Sequence, residues 1–133
     1  VNSNIFWSEV RDLHYFAHDM EKHIWRISVP PSEGSKVAIK ILERVHGEAL
    51  YDWAGGLIWL ALEPSKSAHS EIVRHCVNEV DGYATLFRAP DSIRRDVSVF
   101  QPLDGAFANI SKRVKKSFDP NGILNPGRMY EGA

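Results

Sequence analysis

The strongest chemical signal in the chain is a series of turn-forming residues near its C-terminal end, at residues 118–130. Tight turns are predicted at residues 119–122 (Asp-Pro-Asn-Gly) and 125–127 (Asn-Pro-Gly), because proline fixes φ and glycine permits a positive φ. The end of a helix needs only one such signal. Two signals followed by the cation Arg128 predict a rigid loop that presents groups to a ligand or partner, and a solvent-exposed turn is the alternative.

Three more side chains have the chemistry to contact a ligand. Arg26 lies among apolar neighbours in a predicted central strand, where a buried guanidinium needs a carboxylate, a phosphate or a carbonyl as its partner. Trp53 and Trp59 flank a predicted hairpin, and their rings can stack on a planar ligand. The alternatives are an ion pair between Arg26 and Asp52, and packing of both tryptophans in the core. Arg88 is expected only to cap the end of a strand.

The histidines do not form a recognisable metal site, although the chain has six of them. His14 and His18 are four residues apart, which places two imidazoles on one face of a helix. The helix of a zinc protease has Glu directly after its first histidine, whereas this chain has Tyr15 there, and no third ligand is evident. We therefore predict no metal site.

Composition and missing motifs exclude several classes of function. The net charge is −1 and there is no basic block, so nucleic acid is not an expected partner. The single cysteine, Cys76, excludes an internal disulfide and is expected to lie buried on a helix. The chain has no glycine-rich phosphate loop and no Gly-x-Ser-x-Gly elbow. Because no apolar run approaches the roughly 20 residues that span a bilayer, a cytoplasmic location is expected.

The spacing of apolar residues predicts the elements that must position these side chains. Residues 3–20 are predicted to form an N-terminal helix, and alternation over residues 23–30 predicts a strand. A second helix is predicted after Ser32, its N-cap, with Gly47 as its C-cap glycine. The apolar stripe of the first helix comprises Phe6, Val10, Leu13 and Ala17.

Two short β-like runs follow at residues 49–53 and 57–62, and the glycines between them indicate a hairpin. A further helix is predicted to begin after Pro64 and to end at Gly82, before a strand at residues 83–88. The resulting order, β-α-β-β-α-β, is the ferredoxin-like arrangement of an α+β domain: an antiparallel four-stranded sheet with two helices on one face. The whole chain, residues 1–133, is expected to form this one domain.

The predicted sheet has a face that its two helices do not cover. The strand at residues 57–62 is apolar on both sides, so one side needs another cover. A final helix is expected to supply part of it, and closure by the terminal helices of the same chain is the alternative to a separate partner. Residues 89–104 are predicted to be a connection. The apolar stripe of the final helix consists of Phe107, Ile110, Val114 and Phe118.

Separated motifs resemble one family of flavoproteins. Residues 118–130 are similar to the C-terminal signature of FAD-linked oxidases of the vanillyl-alcohol-oxidase type, which has Asp-Pro and then Asn-Pro-Gly-Lys or Arg. Within that superfamily, residues 24–31 (Ile-Trp-Arg-Ile-Ser-Val-Pro-Pro), 51–60 (Tyr-Asp-Trp-Ala-Gly-Gly-Leu-Ile-Trp-Leu) and 82–90 resemble an FAD-binding subunit of the bacterial glycolate oxidases. The likeness extends over about residues 20–130.

The resemblance implies a C-terminal cap domain that covers the isoalloxazine ring of FAD, with the cofactor held by an N-terminal domain expected to be absent from this chain. It also implies a complex with a paralogous flavoprotein and an iron–sulfur subunit, which oxidises glycolate to glyoxylate and is peripheral to the inner membrane. The implied cofactor contacts are Asn125, Arg128, Arg26, Trp53 and Trp59. Because the chain begins at Val1 without Met, we expect a fragment or a processed product. As a cap domain without its flavin-binding domain, it is expected to be inactive alone.

One departure from the family concerns catalysis. Related D-2-hydroxyacid dehydrogenases have a strand of the His-x-Gly-Asp-Gly-Asn type in the cap, and no segment here matches it. An electron-transfer or structural role is therefore an alternative to hydroxyacid oxidation at this subunit. A further hypothesis, from a different class, is a non-catalytic ferredoxin-like module that forms a homodimer through its open sheet face.

Overall fold

Within residues 3–130, the part of the chain that the computed structural model describes, four strands form an antiparallel sheet of order β2-β3-β1-β4. The strands are β1 (His23–Ser28), β2 (Gly47–Asp52), β3 (Leu57–Leu62) and β4 (Tyr83–Arg88). β1 and β3 occupy the centre, as the ferredoxin-like topology requires. The predicted α+β class is confirmed.

The helices are α1 (Ser3–Arg11), α2 (His14–Ala17), α3 (Gly34–Leu42), α4 (Ser70–Asn78), α5 (Asp91–Asp96) and α6 (Gly105–Phe118). A short 3-10 turn, Trp53–Gly55, connects β2 to β3. α3 and α4 pack on one face of the sheet, which we call the helix face. None of the helices in the described residues is long and apolar enough to cross a membrane.

Alternation along the central strands decides which side chains enter the main core. Trp25 and Ile27 of β1 and Leu60 of β3 lie on the helix face and are fully buried against α3 and α4. The indole Nε1 of Trp25 donates a hydrogen bond to the carbonyl oxygen of Ala68 at 2.9 Å, so the one polar atom of that ring is satisfied. Cys76 of α4 is buried in the same core, as predicted.

The outer edge of β4 is closed by the segment that follows α5. The backbone N–H of Leu86 donates to the carbonyl oxygen of Val99 at 2.8 Å, and that of Ala84 donates to Oε1 of Gln101 at 3.3 Å. Arg74 of α4 holds the Gln101 amide in place through a 3.0 Å hydrogen bond to the same oxygen. At the opposite edge of the sheet, no strand within residues 3–130 pairs with the outer side of β2.

The N-terminal helix differs from its prediction. Instead of one helix over residues 3–20, α1 and α2 are separated at Leu13, whose φ is 48°. Because of this break Phe16, rather than the predicted stripe, lies buried against the sheet, while Phe6 and Val10 remain exposed. Spacing alone could not show the break, since Leu13 fits a continuous helical stripe.

The caps predicted for the second helix are wrong. α3 begins at Gly34, the preceding Glu33 occupies the N-cap position, and the hydroxyl of Ser32 bonds to the Glu33 carboxylate instead of capping the helix. Gly47 begins β2 and does not end α3. A Cβ at Gly47 would overlap with the carbonyl oxygen of Ala61 on β3, so this glycine permits the close pairing of two strands.

α6 does not supply the predicted cover for the second face of the sheet. None of its residues is buried, and the side chain of Phe118 is 83% exposed. The cover that exists comes from α2, where Phe16 packs on Ile24 and Ala61. Residues 89–104, predicted to be a plain connection, contain α5.

Candidate functional site

The open face of the sheet, opposite α3 and α4, presents one row of side chains in register across all four strands. Leu50 of β2 pairs with Trp59 of β3, and Trp59 pairs with Arg26 of β1. Arg26 in turn pairs with Thr85 of β4. Each of these side chains is half-buried. The row therefore brings two of the predicted site residues, Arg26 and Trp59, together.

Arg26 and Trp59 form a three-residue group with Phe87, which we call the platform. The guanidinium carbon of Arg26 lies 5.8 Å from the centroid of the Trp59 ring, a cation–π distance. The rings of Trp59 and Phe87 meet at 5.1 Å and 82°, a T-shaped contact. Phe87 is 53% exposed. The platform thus offers a cation and aromatic surface to a ligand or partner.

Arg26 does not form the ion pair with Asp52 that was the alternative to ligand binding. Oδ1 of Asp52 accepts a 2.7 Å hydrogen bond from the backbone N–H of Trp53 instead. Within residues 3–130 no acidic side chain lies at ion-pair distance from Arg26. A half-buried guanidinium without a protein anion is suited to bind an external one.

Two cavities flank the platform because α1 and α2 cross only part of the open face. One, of about 490 Å³, lies between α1 and the strands β2 and β3, and Trp7 and Trp59 are among its lining residues. The other, of about 430 Å³, lies beside α2 and is lined in part by Ile24 and Phe87. Both volumes are within the range of small-molecule sites.

Arg88 does more than cap a strand. Its Nη2 donates to the carbonyl oxygen of Phe16 at 3.0 Å and also to the carbonyl oxygen of Asp19. These bonds connect the end of β4 to the segment around α2 and hold Phe16 on the sheet. Arg88 therefore helps to hold the segment around α2 against the open face.

Trp53 is placed apart from the platform. It lies in the turn between β2 and β3 with a φ of 51°, and its side chain is 72% exposed. This position excludes the core packing that was the alternative for this residue. Its contact with a cofactor remains a prediction.

The C-terminal loop, residues 119–130, is folded around one buried carboxylate. Asp119 accepts hydrogen bonds from the backbone N–H groups of Ile123 at 3.0 Å and Leu124 at 2.9 Å, and it pairs with Lys115 of α6 at 3.2 Å. The hydrogen bond from Leu124, followed by that from Ile123 and by Lys115, holds the pKa of Asp119 below its usual range despite burial. The aspartate of the signature motif thus shapes the loop itself.

The turns predicted in this loop are present. Gly122, Asn125 and Gly127 have φ values of 65°, 46° and 68°, the left-handed region that favours glycine and tolerates asparagine. The backbone N–H of Arg128 donates to the carbonyl oxygen of Asn125 at 3.2 Å. Arg128 lines a cavity beside α5 and α6, and the platform residues do not line it. The structure therefore does not bring Asn125 and Arg128 together with Arg26 and Trp59.

Replacing Asp119 with alanine is expected to loosen the C-terminal loop. Because the amides of Ile123 and Leu124 would lose their acceptor, their hydrogen exchange should accelerate relative to the intrinsic rates. The lowered pKa means that the carboxylate stabilises the folded loop above the ordinary Asp value of about 3.9, and that this contribution is lost as the pH falls through the lower folded-state value. The difference in hydrogen exchange between Asp119→Ala and the parent protein should vanish over the same pH range.

Hydrogen exchange followed by NMR at several pH values measures this effect. Asn121→Ala is the matched control, because Asn121 is exposed in the same loop and its side chain makes no hydrogen bond within the described chain. Unchanged exchange at residues 123 and 124 in Asp119→Ala would show that the carboxylate does not organise the loop.

The two histidines at helical spacing do approach each other. The Nε2 atoms of His14 and His18 lie 3.4 Å apart, and the rings meet edge to face. No group of three or more His, Cys, Asp or Glu side chains in the described part of the chain is arranged to hold a metal ion.

Comparison with known proteins gives one significant likeness. The chain is 30% identical over 125 residues to the glycolate oxidase subunit GlcE of Escherichia coli (strain K12). The matched stretch covers 94% of this chain but 31% of that protein. No family model matches the chain, and no solved structure matches it. The chain is therefore similar to a domain-sized part of a glycolate oxidase subunit and spans less than a third of its length.

Proposed function

We propose that the chain is the C-terminal cap domain of an FAD-binding subunit of a glycolate oxidase, and that its platform faces the flavin held by another part of that subunit. The observation that carries the proposal is the half-buried Arg26, which has no carboxylate at ion-pair distance within residues 3–130, beside the half-buried ring of Trp59 and the exposed ring of Phe87. The likeness to a glycolate oxidase subunit supports the choice of a flavin among planar ligands.

The chemistry of the platform fits an isoalloxazine ring. The guanidinium of Arg26 can donate to a ring carbonyl and can compensate the negative charge of a reduced ring. Trp59 and Phe87 present apolar surface that would exclude water from such a ring. None of the three is an acid or base at neutral pH, so the platform binds and orients and does not transfer a proton.

In the proposed parent enzyme, glycolate is oxidised to glyoxylate with the loss of two electrons and two protons. FAD is the group that accepts the electrons when bound. A paralogous flavoprotein and an iron–sulfur subunit are the proposed partners, and the complex is proposed to lie in the cytoplasm at the inner membrane. The chain alone is proposed to be inactive, because it would supply only the cover of the flavin.

The test uses the full-length subunit that contains this chain, reconstituted with FAD. We expect visible flavin absorbance and FAD binding that Arg26→Ala weakens by about tenfold, the effect of losing one charge-assisted hydrogen bond. Arg44→Ala is the matched control, because Arg44 is an exposed cation just after α3, on the helix side of the sheet. Titration with FAD, read by flavin fluorescence, measures both variants.

Two outcomes would contradict the proposal that this chain is a flavin cap. A full-length subunit that binds no FAD removes the basis of the proposal. Equal affinities in Arg26→Ala and the parent protein would place the flavin away from the platform. If, in addition, the 133-residue chain sediments as a dimer that Phe87→Asp dissociates, the open face serves as a homodimer interface of a non-catalytic module.

A further inference from the structure

A second cavity, distinct from the platform, gathers positive charge from separate parts of the fold. Its volume is about 580 Å³, and it lies between α5, residues 97–103, α6 and the C-terminal loop. Its cationic lining residues are Arg94 and Arg95 of α5, Lys112 of α6 and Arg128 of the loop. Among the described residues that line it, Asp96 is the one carboxylate. In this part of the lining, cations therefore outnumber carboxylates four to one.

None of these four cations forms an ion pair within the described residues. Nη1 of Arg94 donates to the carbonyl oxygen of Phe87 at 3.4 Å. Arg95, Lys112 and Arg128 form no ion pair within residues 3–130. A solvated helix face also carries unpaired cations, but here they come from two helices and a loop and line one concavity. Like charges repel, and a cleft with an excess of positive charge concentrates anions, so this arrangement is suited to a ligand of negative charge.

We propose that this cavity binds a nucleotide-sized molecule that carries a diphosphate group. Guanidinium groups match phosphate oxygens in bidentate geometry, and an ammonium group adds a point charge. The volume is within the range of sites for small organic ligands and much larger than a single phosphate ion requires.

Aromatic side chains give the same cavity a second kind of surface. The rings of Phe100 and Tyr130 both line it, with centroids 6.3 Å apart and planes tilted by 56°. Half-buried rings of this kind offer a face on which a planar base can stack. Phosphate-binding cations and stacking surface in one concavity are the two requirements of a nucleotide site.

The cavity and the platform have no residue in common, so the cavity can be tested apart from the cap function. A diphosphate can come from a free nucleotide, such as ADP, or from a dinucleotide cofactor, such as FAD. The two sources share the chemistry that the cavity recognises. Binding to the 133-residue chain itself separates this inference from the flavin test, which needs the full-length subunit.

Calorimetric titration of the 133-residue chain with ADP, pyrophosphate, adenosine and FAD tests the site. We expect ADP to bind, adenosine to bind at least tenfold more weakly, and Lys112→Gln to weaken ADP binding by about tenfold. Lys116→Gln is the matched control, because Lys116 lies one turn further along α6 and does not line the cavity. Tighter binding of FAD than ADP would identify the cofactor as the source of the diphosphate, and tighter binding of ADP would identify a free nucleotide.

Three results would overturn the proposal. The first is that neither ADP nor FAD binds at millimolar concentration. The second is equal affinity for adenosine and ADP, since the cations would then contribute nothing. The third is equal weakening by Lys112→Gln and Lys116→Gln, which would indicate a diffuse surface charge. Binding of polyglutamate in preference to ADP would likewise replace the nucleotide with an acidic protein segment.

Discussion

Trp25→Ala is expected to lower the free energy of unfolding by about 3–5 kcal/mol, the range for truncating a large aromatic side chain in a core. Trp25 is fully buried at the centre of the helix face, and the guanidinium of Arg74 lies 5.3 Å from its ring. The substitution would leave a cavity and would also deprive the buried carbonyl oxygen of Ala68 of its donor. Domains of this size have a total stability of about 5–15 kcal/mol, so the variant should be close to unfolding.

Urea denaturation followed by far-ultraviolet circular dichroism measures this change. Trp53→Ala is the matched control, because Trp53 is largely exposed in the turn between β2 and β3 and its removal should change the stability by less than about 0.5 kcal/mol. Similar losses in the two variants would show that Trp25 is not buried between the sheet and its helices.

Gly34→Ala is expected to destabilise the chain by about 1–3 kcal/mol or more, the cost of inserting a group into a packed region. A Cβ at Gly34 would overlap with the carbonyl oxygen of Gly55, in the turn that connects β2 to β3. Because both groups belong to the backbone, no side-chain rotation can relieve the overlap. Either the start of α3 or the turn has to move.

The same substitution at Gly105 should change the stability in the opposite direction. Gly105 is the first residue of α6, and a Cβ there would meet no atom within 4 Å. Alanine should therefore stabilise the chain slightly, by about 0.4–1 kcal/mol, through the lower entropy of the unfolded state. Thermal unfolding of both variants gives the comparison, and an equal shift in the two would contradict a specific contact between Gly34 and Gly55.

The order of elements could be predicted from the sequence because each element carries its own periodicity. β3 and β4 were predicted at residues 57–62 and 83–88, the bounds that the structure has. Two errors lie where the local pattern does not determine the conformation. Leu13 fits a helical stripe but takes a left-handed conformation, and Gly47 resembles a C-cap but lies in a strand against Ala61. The pairing of Gly47 with the neighbouring strand is not visible in a window of neighbouring residues.

The candidate site could be predicted only in part for the same reason. Arg26 and Trp59 were selected by residue type, and the register of β1 with β3 makes them neighbours. Phe87 was missed, although it continues an apolar strand, because its contact with Trp59 depends on the sheet order β3-β1-β4. Of the cations around Lys112 only Arg128 was selected, since the cluster joins three separate segments of the chain.

The amide of Gln101 has a consequence for how the sheet can grow. With the N–H groups of Ala84 and Leu86 already engaged, a foreign strand cannot pair with these two donors and is expected to join at the other margin, along β2. That margin is six residues long and stops at the turn that begins with Trp53. A strand from a second copy, or an extended peptide, is therefore expected to add to the edge of β2 and to pair there with at most these six residues.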